Sequence, residues 1–288
     1  MNRKGIFGRL ALFATALIWG TSFVILKGAL DTVGAMWVLA VRFVLSTLLL
    51  CLIAGKRLLK MSRTALKGSI LMGVCLAAAY IVQTYGLVYT TPGKNAFLTA
   101  TYCVITPFMA WAIYKRRPGG EKLLAAVLCM VGIGFVSLSS GFDNVNKGDL
   151  LTLCCGFFYA LQIVLMEQYE SSADALSISA VQFAASAVIC LAGALLFEAP
   201  PHAVDAATWL SILYLSVMCT AVCFFLQAWG MKYTPSTPAA VIMTLESVFG
   251  VLTSVLFYHE PLTPRLLIGF ALIFVSVLLS VTERKTLA

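Results

Sequence analysis

Long apolar blocks alternate with short polar connections along the whole chain. Eight blocks carry no charged residue, and two more carry one charge each, Arg42 in the block 33–55 and Glu246 in the block 233–258. A helix needs about 20 mostly apolar residues to cross a bilayer. The pattern therefore predicts ten transmembrane helices and leaves no room for a soluble domain. Their approximate bounds are 10–27, 34–54, 69–89, 94–114, 122–139, 149–169, 176–197, 208–231, 238–258 and 264–282.

The second half of the chain repeats the first. Helices 3–5 match helices 8–10 at a shift of 144 residues, which aligns Gln83 and Gly86 with Gln227 and Gly230, and helices 1–2 match helices 6–7 at a shift of 140. Because each half has an odd number of helices, the second copy must cross the membrane in the opposite direction. We therefore predict an all-α integral membrane protein of two inverted five-helix repeats. These repeats span residues 8–140 and 148–283.

The composition supports a membrane protein. The chain is 61% hydrophobic and 11% charged, whereas soluble domains carry about 25% charged residues. The net charge of +8 would suggest nucleic-acid binding in a soluble protein. Here, however, 15 of the 20 lysines and arginines fall on one side of the ten-helix topology, as the positive-inside rule expects of the cytoplasmic side. We predict a multi-pass protein of the plasma membrane with both termini in the cytoplasm.

All nine cysteines lie inside apolar blocks, where cysteine behaves as a small buried hydrophobe. Cys219 and Cys223 are one helical turn apart, but no histidine or second cysteine pair accompanies them, as a zinc site would require. The sequence predicts no disulfide framework, no metal site and no cofactor.

Four short motifs together resemble a known family. They are Ile18–Phe23 (IWGTSF), Arg42-Phe43, Leu245–Val248 (LESV) and Tyr258–Leu262 (YHEPL). In this order and spacing they resemble the drug/metabolite transporter superfamily, specifically its EamA-type ten-helix carriers. The resemblance implies a basket of ten helices around a cavity lined mainly by helices 1, 3, 4, 6, 8 and 9. It also implies export or exchange of small metabolites, amino acids among them.

The sequence departs from this resemblance at one position. Members often carry a glutamate near the start of the loop between helices 4 and 5, and here that position is Arg116, the counterpart of Glu260 in the second half. A symmetric role for two glutamates is therefore not expected.

Polar positions inside the predicted helices mark the candidate site. Polar groups in hydrocarbon are costly unless they find partners or water. On helix 4, Asn95, Thr99 and Tyr102 follow the spacing of one helix face. Aromatic faces attract cations and stack on planar ligands, so we expect a mid-membrane chamber that binds an amino acid or another small amphipathic or cationic metabolite. Hydrogen bonding from helix to helix is the alternative. The candidate substrate-binding residues are Trp19, Ser22, Tyr80, Gln83, Asn95, Thr99, Tyr102, Tyr159, Gln162, Gln227 and Glu246.

Glu246 and Arg42 are the two candidates for charge coupling. A lone acidic residue deep in a membrane span suggests a substrate counter-ion or a proton carrier. Other possibilities stay open: Glu246 pairs with Arg42 or bonds to backbone, and Arg42 binds a substrate carboxylate or extends to the interface.

The function predicted from these features is that of a secondary carrier. It moves a small metabolite across the plasma membrane by alternating access, in export or exchange. A channel and an intramembrane enzyme acting on a lipid-like substrate are the alternatives. The only histidines, His202 and His259, lie in predicted loops, and neither a His-Glu-x-x-His nor a Walker A motif is present, so an enzyme is not expected. The predicted partners are the lipid bilayer and the substrate, with no nucleic acid; a homodimer is left open.

Overall fold

The computed structural model describes residues 3–115, 117–137, 146–169, 173–234 and 236–281, and every regular element in these ranges is helical. The helices of the first half are α1 Arg3–Ala29, α2 Ala35–Ala54, α3 Arg63–Tyr89, α4 Pro92–Thr99, α5 Tyr102–Tyr114 and α6 Gly120–Ser137. Those of the second half are α7 Lys147–Tyr169, α8 Ala175–Phe197, α9 Ala206–Ser216, α10 Cys223–Tyr233, α11 Ser236–Phe257 and α12 Pro264–Val281. A 3-10 turn, Gly55–Lys60, follows α2, and a π-helical segment, Val217–Val222, joins α9 to α10.

Seven helical stretches in the described ranges are long and apolar enough to cross a membrane, and two shorter apolar helices follow them. The seven are Arg3–Ala29, Ala35–Lys60, Arg63–Tyr89, Pro92–Tyr114, Lys147–Tyr169, Ala175–Phe197 and Ala206–Met231, and the shorter two are Ile242–Phe257 and Pro264–Leu279. The prediction of an all-helical membrane protein is thus confirmed. The predicted ends of helices 5 and 10 at residues 139 and 282, and the repeat ends at 140 and 283, lie outside the described residues.

The predicted fourth helix, 94–114, corresponds to the single apolar stretch Pro92–Tyr114, which contains a break that the sequence did not predict. It is divided into α4 and α5 at Ala100 and Thr101. Around the break the backbone uses i→i+3 hydrogen bonds, and the Thr101 hydroxyl donates to the Leu98 carbonyl at 2.6 Å. A side chain that takes over a helix carbonyl in this way bends the helix. Pro107 lies farther along, inside the uninterrupted α5.

The predicted eighth helix changes pitch within its length. The π-helical segment Val217–Val222 inserts a wider turn between α9 and α10. The Thr220 hydroxyl donates to the Leu215 carbonyl five residues earlier, at 2.9 Å. Such wide turns occur preferentially at functional sites, and this one faces α2.

Helices of one half pack mainly against helices of the other. The principal pairs are α1 with α10 and α11, α2 with α8, α3 with α7 and α8, α4 with α11, α6 with α12, and α7 with α4 and α5. When each helix is replaced by its counterpart in the repeat, the α3–α7 pair becomes the α10–α1 pair, and the α1–α11 pair becomes the pairs of α7 with α4 and α5. The α2–α8 and α6–α12 pairs map onto themselves. Duplicated halves related by a twofold axis give this contact pattern.

Glycine pairs mark two equivalent helix crossings. Gly148 of α7 lies against Gly86 of α3, and a Cβ on Gly148 would be 2.5 Å from the Gly86 carbonyl oxygen. Gly8 of α1 lies against Gly230 of α10, where a Cβ on Gly230 would be 2.9 Å from the Gly8 carbonyl oxygen. Small residues let membrane helices approach closely. The two crossings are related by the same shifts of 140 and 144 residues that relate the halves in sequence.

Candidate substrate-binding site

Arg42 is a buried cation held by neutral groups. It lies in the middle of α2 with 3% of its surface exposed. Its Nε donates to the Thr220 hydroxyl oxygen at 2.7 Å, its Nη2 donates to the Tyr80 hydroxyl at 3.4 Å, and its guanidinium carbon lies 4.7 Å from the centre of the Tyr80 ring. Among the described residues no carboxylate lies within 4.0 Å of the guanidinium. Its charge is thus oriented but not neutralised.

Three tyrosines extend from Arg42 along one wall of the site. The Tyr80 ring packs against the Tyr159 ring at 5.7 Å between centres, and Tyr159 against Tyr102 at 6.1 Å. Phe43 packs on the other side of Tyr80 at 5.2 Å. These rings come from α2, α3, α5 and α7, which places both halves of the chain around one aromatic surface.

Gln83 connects this aromatic wall to α4. The Tyr159 hydroxyl donates to Gln83 Oε1 at 2.9 Å, and Gln83 Nε2 donates to the Thr99 hydroxyl oxygen at 2.9 Å. Asn95, one turn before Thr99, donates from Nδ2 to the Thr152 hydroxyl oxygen at 2.8 Å, while its buried Oδ1 has no partner among the described residues. Gln83, Asn95 and Thr99 are all buried. The structure therefore brings this predicted set together as a hydrogen-bonded chain.

Trp19 and Ser22 occupy one face of α1. Trp19 Nε1 donates to the Cys219 carbonyl at 2.6 Å, and its ring packs against Phe224 at 5.5 Å. The Ser22 hydroxyl is used within the helix, donating to the Trp19 carbonyl at 2.6 Å. Trp19 thus links α1 to the π-helical segment that holds Arg42.

Glu246 lies on α11 near the same aromatic wall. Its backbone is opposite Gly20, because a Cβ on Gly20 would be 3.0 Å from the Glu246 carbonyl oxygen. The Glu246 carboxylate is half-buried, and no hydrogen bond or ion pair joins it to another described residue. It does interact electrostatically with the tyrosine and cysteine side chains around it. Those residues are Tyr80, Tyr102, Cys103, Tyr159, Cys219 and Cys223.

Arg42 and Glu246 share a neighbourhood without forming an ion pair. Tyr80, Tyr159 and Cys219 interact electrostatically with both charges, and so does Cys223. The structure does not contain the direct Arg42–Glu246 contact that the sequence left open. The arrangement is an aromatic wall with a guanidinium and a carboxyl group near it, and these two groups do not touch each other.

Two predicted site residues are not part of these contacts. Gln162 is buried, and its Nε2 donates to Oε1 of Gln182 on α8 at 2.9 Å. Gln182 occupies the position in the second half that Arg42 occupies in the first. Gln227 is half-buried, and no hydrogen bond joins it to another described residue.

The sequence did not reveal that two glutamates cap helices of the first half. Glu260, 5% exposed, accepts from the Gly93 amide at 3.0 Å at the start of α4, from the Ser254 hydroxyl at 2.5 Å, and from the Thr91 hydroxyl. Glu198 accepts from the Met36 amide at 3.1 Å at the start of α2. A carboxylate at a helix N-terminus is favourable, but only the fold reveals which helix start each one reaches. Arg116, the counterpart of Glu260, lies outside the described residues.

Comparison with known proteins gives one consistent family. The profile of a family described as "EamA-like transporter family" matches residues 6–138 and 146–282. An uncharacterized transporter of Archaeoglobus fulgidus is 32% identical over 276 residues, covering 96% of this chain and 86% of the relative. The uncharacterized transporter YvbV of Bacillus subtilis is 24% identical over 286 residues, covering 96% and 92%. A crystal structure of a protein 17% identical to this chain superposes with a TM-score of 0.68, covering 94% of this chain and 95% of that one, a likeness of fold alone.

Proposed function

The chain belongs to the EamA-like transporter family, and on that premise we propose that it is a secondary carrier for a small zwitterionic metabolite, an amino acid in the simplest case. The resemblance inferred from the sequence motifs is confirmed, and the relatives are named as transporters. The observation that carries the proposal is the pair of unpaired charges, Arg42 and Glu246, on one aromatic chamber.

Unpaired charges inside a membrane protein are costly. A buried ion loses its hydration and regains that free energy only from a partner of opposite charge and good geometry. Arg42 has a hydroxyl on Nε and a second hydroxyl near Nη2, and Glu246 has neither a cation nor a donor among the described residues. A zwitterion supplies both missing counter-charges, with its carboxylate on Arg42 and its ammonium on Glu246.

The aromatic wall favours a substrate with an apolar or aromatic side group. Tyr80, Tyr102 and Tyr159 offer ring faces and edges, and ring pairs gain stability beyond simple burial. Aromatic faces also attract ammonium groups. A cationic amphipathic metabolite is therefore the nearest alternative substrate, and its binding would depend on Glu246 but not on Arg42.

The proposed topology has ten crossings in two inverted halves. It counts α4 with α5, and α9 with α10, as one span each, and places both termini in the cytoplasm of a cell whose plasma membrane holds the carrier. In the repeat, α2 is the counterpart of α8 and α6 is the counterpart of α12. Each of these helices packs against its own counterpart, which supports the repeat. Exchange of conformation between the halves then opens the chamber to each side in turn, for export or exchange.

The proposed orientation of the termini is tested with a tag at either end of the chain. The tag should stay protected from external protease in intact cells, and its digestion would contradict this orientation.

The proposal is tested by counterflow in proteoliposomes. L-phenylalanine carries both charges, phenethylamine lacks the carboxylate, and 3-phenylpropionate lacks the ammonium. We expect the wild type to exchange labelled L-phenylalanine saturably, and Glu246→Gln and Arg42→Gln to lose that exchange. The control Glu167→Gln, exposed near the end of α7, should keep it. Because each charge meets one end of the substrate, Arg42→Gln should still exchange labelled phenethylamine, which needs only Glu246, whereas Glu246→Gln should not.

The competing functions predict different results. A channel gives flux without counterflow, and an intramembrane enzyme gives a new product by mass spectrometry. Wild-type rates in Glu246→Gln would remove that residue from the mechanism, and failure of all three compounds to exchange in the wild type would contradict the substrate class.

A further inference from the structure

A crevice separate from the chamber lies between α2, α8 and α10. Its volume is about 230 Å³, slightly below the usual range for small-molecule pockets, about 300–1,000 Å³. Its walls are mostly apolar and aromatic, with one hydroxyl. They are formed by Leu50, Leu176, Ser179, Phe224, Phe225 and Trp229.

One charge of each sign also lines the crevice. Arg57 belongs to the 3-10 turn after α2 and is exposed. Asp174 is the N-cap of α8 and accepts from the Ser177 amide at 3.2 Å and from the Ser177 hydroxyl at 2.6 Å. Arg57 and Asp174 do not form an ion pair within 4.0 Å. The crevice thus has the same elements as the chamber: a guanidinium, a carboxylate and aromatic walls.

Phe224 connects the crevice to residues around Arg42. Phe224 lines the crevice, and its ring centre lies 5.5 Å from that of Trp19, which holds the π-helical segment, and 4.9 Å from that of Phe183. Thr220, the hydroxyl partner of Arg42, lies one turn before Phe224. A ligand in the crevice would therefore contact a ring that packs directly against Trp19.

We propose that this crevice is a second binding station for a small zwitterion with an apolar side group, from which the ligand passes Phe224 to enter or leave the chamber. The proposal rests on the substrate class inferred above. In the proposed topology, Arg57 and Asp174 place the crevice on the cytoplasmic side. The ligand carboxylate binds Arg57, its ammonium is attracted to Asp174, and its side group packs on Phe225 and Trp229.

The charges and the size of the crevice favour this ligand over a lipid. An anionic headgroup would suit Arg57 but would be repelled by Asp174, and a cavity of about 230 Å³ holds a small molecule rather than a diacyl lipid. Since few polar groups orient a ligand in an otherwise apolar pocket, Arg57, Asp174 and Ser179 suffice for orientation.

Thiol labelling of Ser179→Cys in nanodiscs tests occupancy directly. A charged methanethiosulfonate reagent should label the introduced cysteine, and saturating L-phenylalanine should slow that labelling by about tenfold or more, as a ligand present at ten times its Kd does to a site it covers. Mass spectrometry distinguishes the introduced cysteine from the native nine. Thr64→Cys, exposed at the start of α3, serves as the control whose labelling L-phenylalanine should not change.

The same measurement in a Glu246→Gln background separates the two sites. Protection at the introduced cysteine should persist there, because the crevice does not use Glu246. Loss of protection in this background, or its absence in both backgrounds, overturns the proposal. Protection by a short-chain phosphatidylglycerol but not by L-phenylalanine also overturns it and assigns the crevice to lipid.

Filling the crevice tests its part in transport. Ser179→Trp should slow L-phenylalanine counterflow by about tenfold or more, equivalent to about 1.4 kcal/mol. Val188 lies on the same helix, and its side chain is 68% exposed. Val188→Trp should therefore leave the rate unchanged. Equal rates for the two variants overturn the crevice station while leaving the carrier function intact. If the wild type exchanges no L-phenylalanine, the proposed function fails separately, and the labelling result alone decides whether the crevice binds the zwitterion.

Discussion

Thr220 determines how the Arg42 charge is presented. Its hydroxyl proton goes to the Leu215 carbonyl, so its oxygen is free to accept from Arg42 Nε. In an α-helix a threonine hydroxyl bonds the carbonyl three or four residues back. The wider π-helical turn brings the carbonyl five residues back within reach of the Thr220 hydroxyl. The pitch change in Val217–Val222 therefore places the Thr220 hydroxyl oxygen where it accepts the hydrogen bond from Arg42 Nε.

Thr220→Val should impair transport more than stability. Valine keeps the shape but removes the acceptor, so Arg42 loses its shortest hydrogen bond. A hydrogen bond to a charged group contributes about 1.5–3 kcal/mol, so we expect counterflow to slow by about tenfold or more. Ser211→Ala on α9, whose hydroxyl bonds only within its own helix, is the control. Equal rates for both variants would show that Thr220 does not orient Arg42.

The sequence predicted which polar residues lie near one another better than it predicted their hydrogen-bond partners. The stripe of Asn95 and Thr99 follows from helical spacing, and the structure joins Thr99 to Gln83. The Gln162–Gln182 bond does not follow from sequence, because it depends on how α7 and α8 are rotated against each other. A polar residue in a span indicates that a partner exists, and packing decides which one.

The helix α4 is held at its start by the second half of the chain. Glu260 accepts from the Gly93 amide at 3.0 Å, and Lys94 pairs with Asp149 of α7 at 3.5 Å. A Cβ on Gly93 would lie 2.5 Å from a Glu260 carboxylate oxygen, so glycine is needed there for the carboxylate to approach. The start of the helix that carries Asn95 and Thr99 is thus fixed by residues distant in sequence.

Glu260→Gln should lower the thermal unfolding midpoint. The amide keeps one acceptor, but its NH2 group would face donors such as the Gly93 amide. Leaving a buried donor unpaired costs about 1–3 kcal/mol. Glu167→Gln, exposed near the end of α7, is the matched control. Equal midpoints for the two variants would argue against a capping role for Glu260.

The start of α9 should show a pH-dependent contribution to stability. Asp205 caps this helix: the Thr208 amide donates to it at 2.7 Å and holds the pKa of Asp205 below its usual range. A lowered pKa means that the fold favours the carboxylate, so the stabilisation is present above the ordinary aspartate pKa of about 3.9 and is lost as pH falls through the lower folded value. Asp205→Ala should reduce the unfolding midpoint at neutral pH, and the difference from wild type should shrink in acid. A difference that does not change with pH would exclude the charge as its cause.

Element boundaries were less predictable than element identity. The apolar blocks identified most helices, but hydropathy does not register the break at Ala100 and Thr101, where both flanking segments stay apolar. The break depends on the Thr101 hydroxyl and on Gly156 of α7, whose missing side chain leaves room, since a Cβ there would lie 2.9 Å from the Thr101 hydroxyl oxygen. Such local features require the neighbouring helix and are invisible in one segment.

At the scale of the whole molecule, the repeat predicted more than hydropathy did. The shifts of 140 and 144 residues relate Gly8 to Gly148 and Gly86 to Gly230, and the structure places these residues at two equivalent crossings. The site itself breaks that symmetry, because Arg42 has Gln182 as its counterpart and Glu246 has Tyr102. The frame formed by the packed helices is therefore symmetric, whereas the candidate site inside it is not.

The glycine crossings should therefore be equally intolerant of a methyl group. In Gly148→Ala and Gly230→Ala the added Cβ would lie 2.5 Å and 2.9 Å from a backbone oxygen of the facing helix, so the helices must separate and lose contacts between the halves. Gly134→Ala in α6 meets nothing within 4 Å and should be neutral or stabilising by up to about 1 kcal/mol, because alanine favours helix. Thermal unfolding in detergent should give clearly lower midpoints for the first two variants than for the third. If only one of the two alanine variants lowers the unfolding midpoint, the two crossings do not contribute equally to stability. That result would contradict the symmetric frame inferred from the repeat.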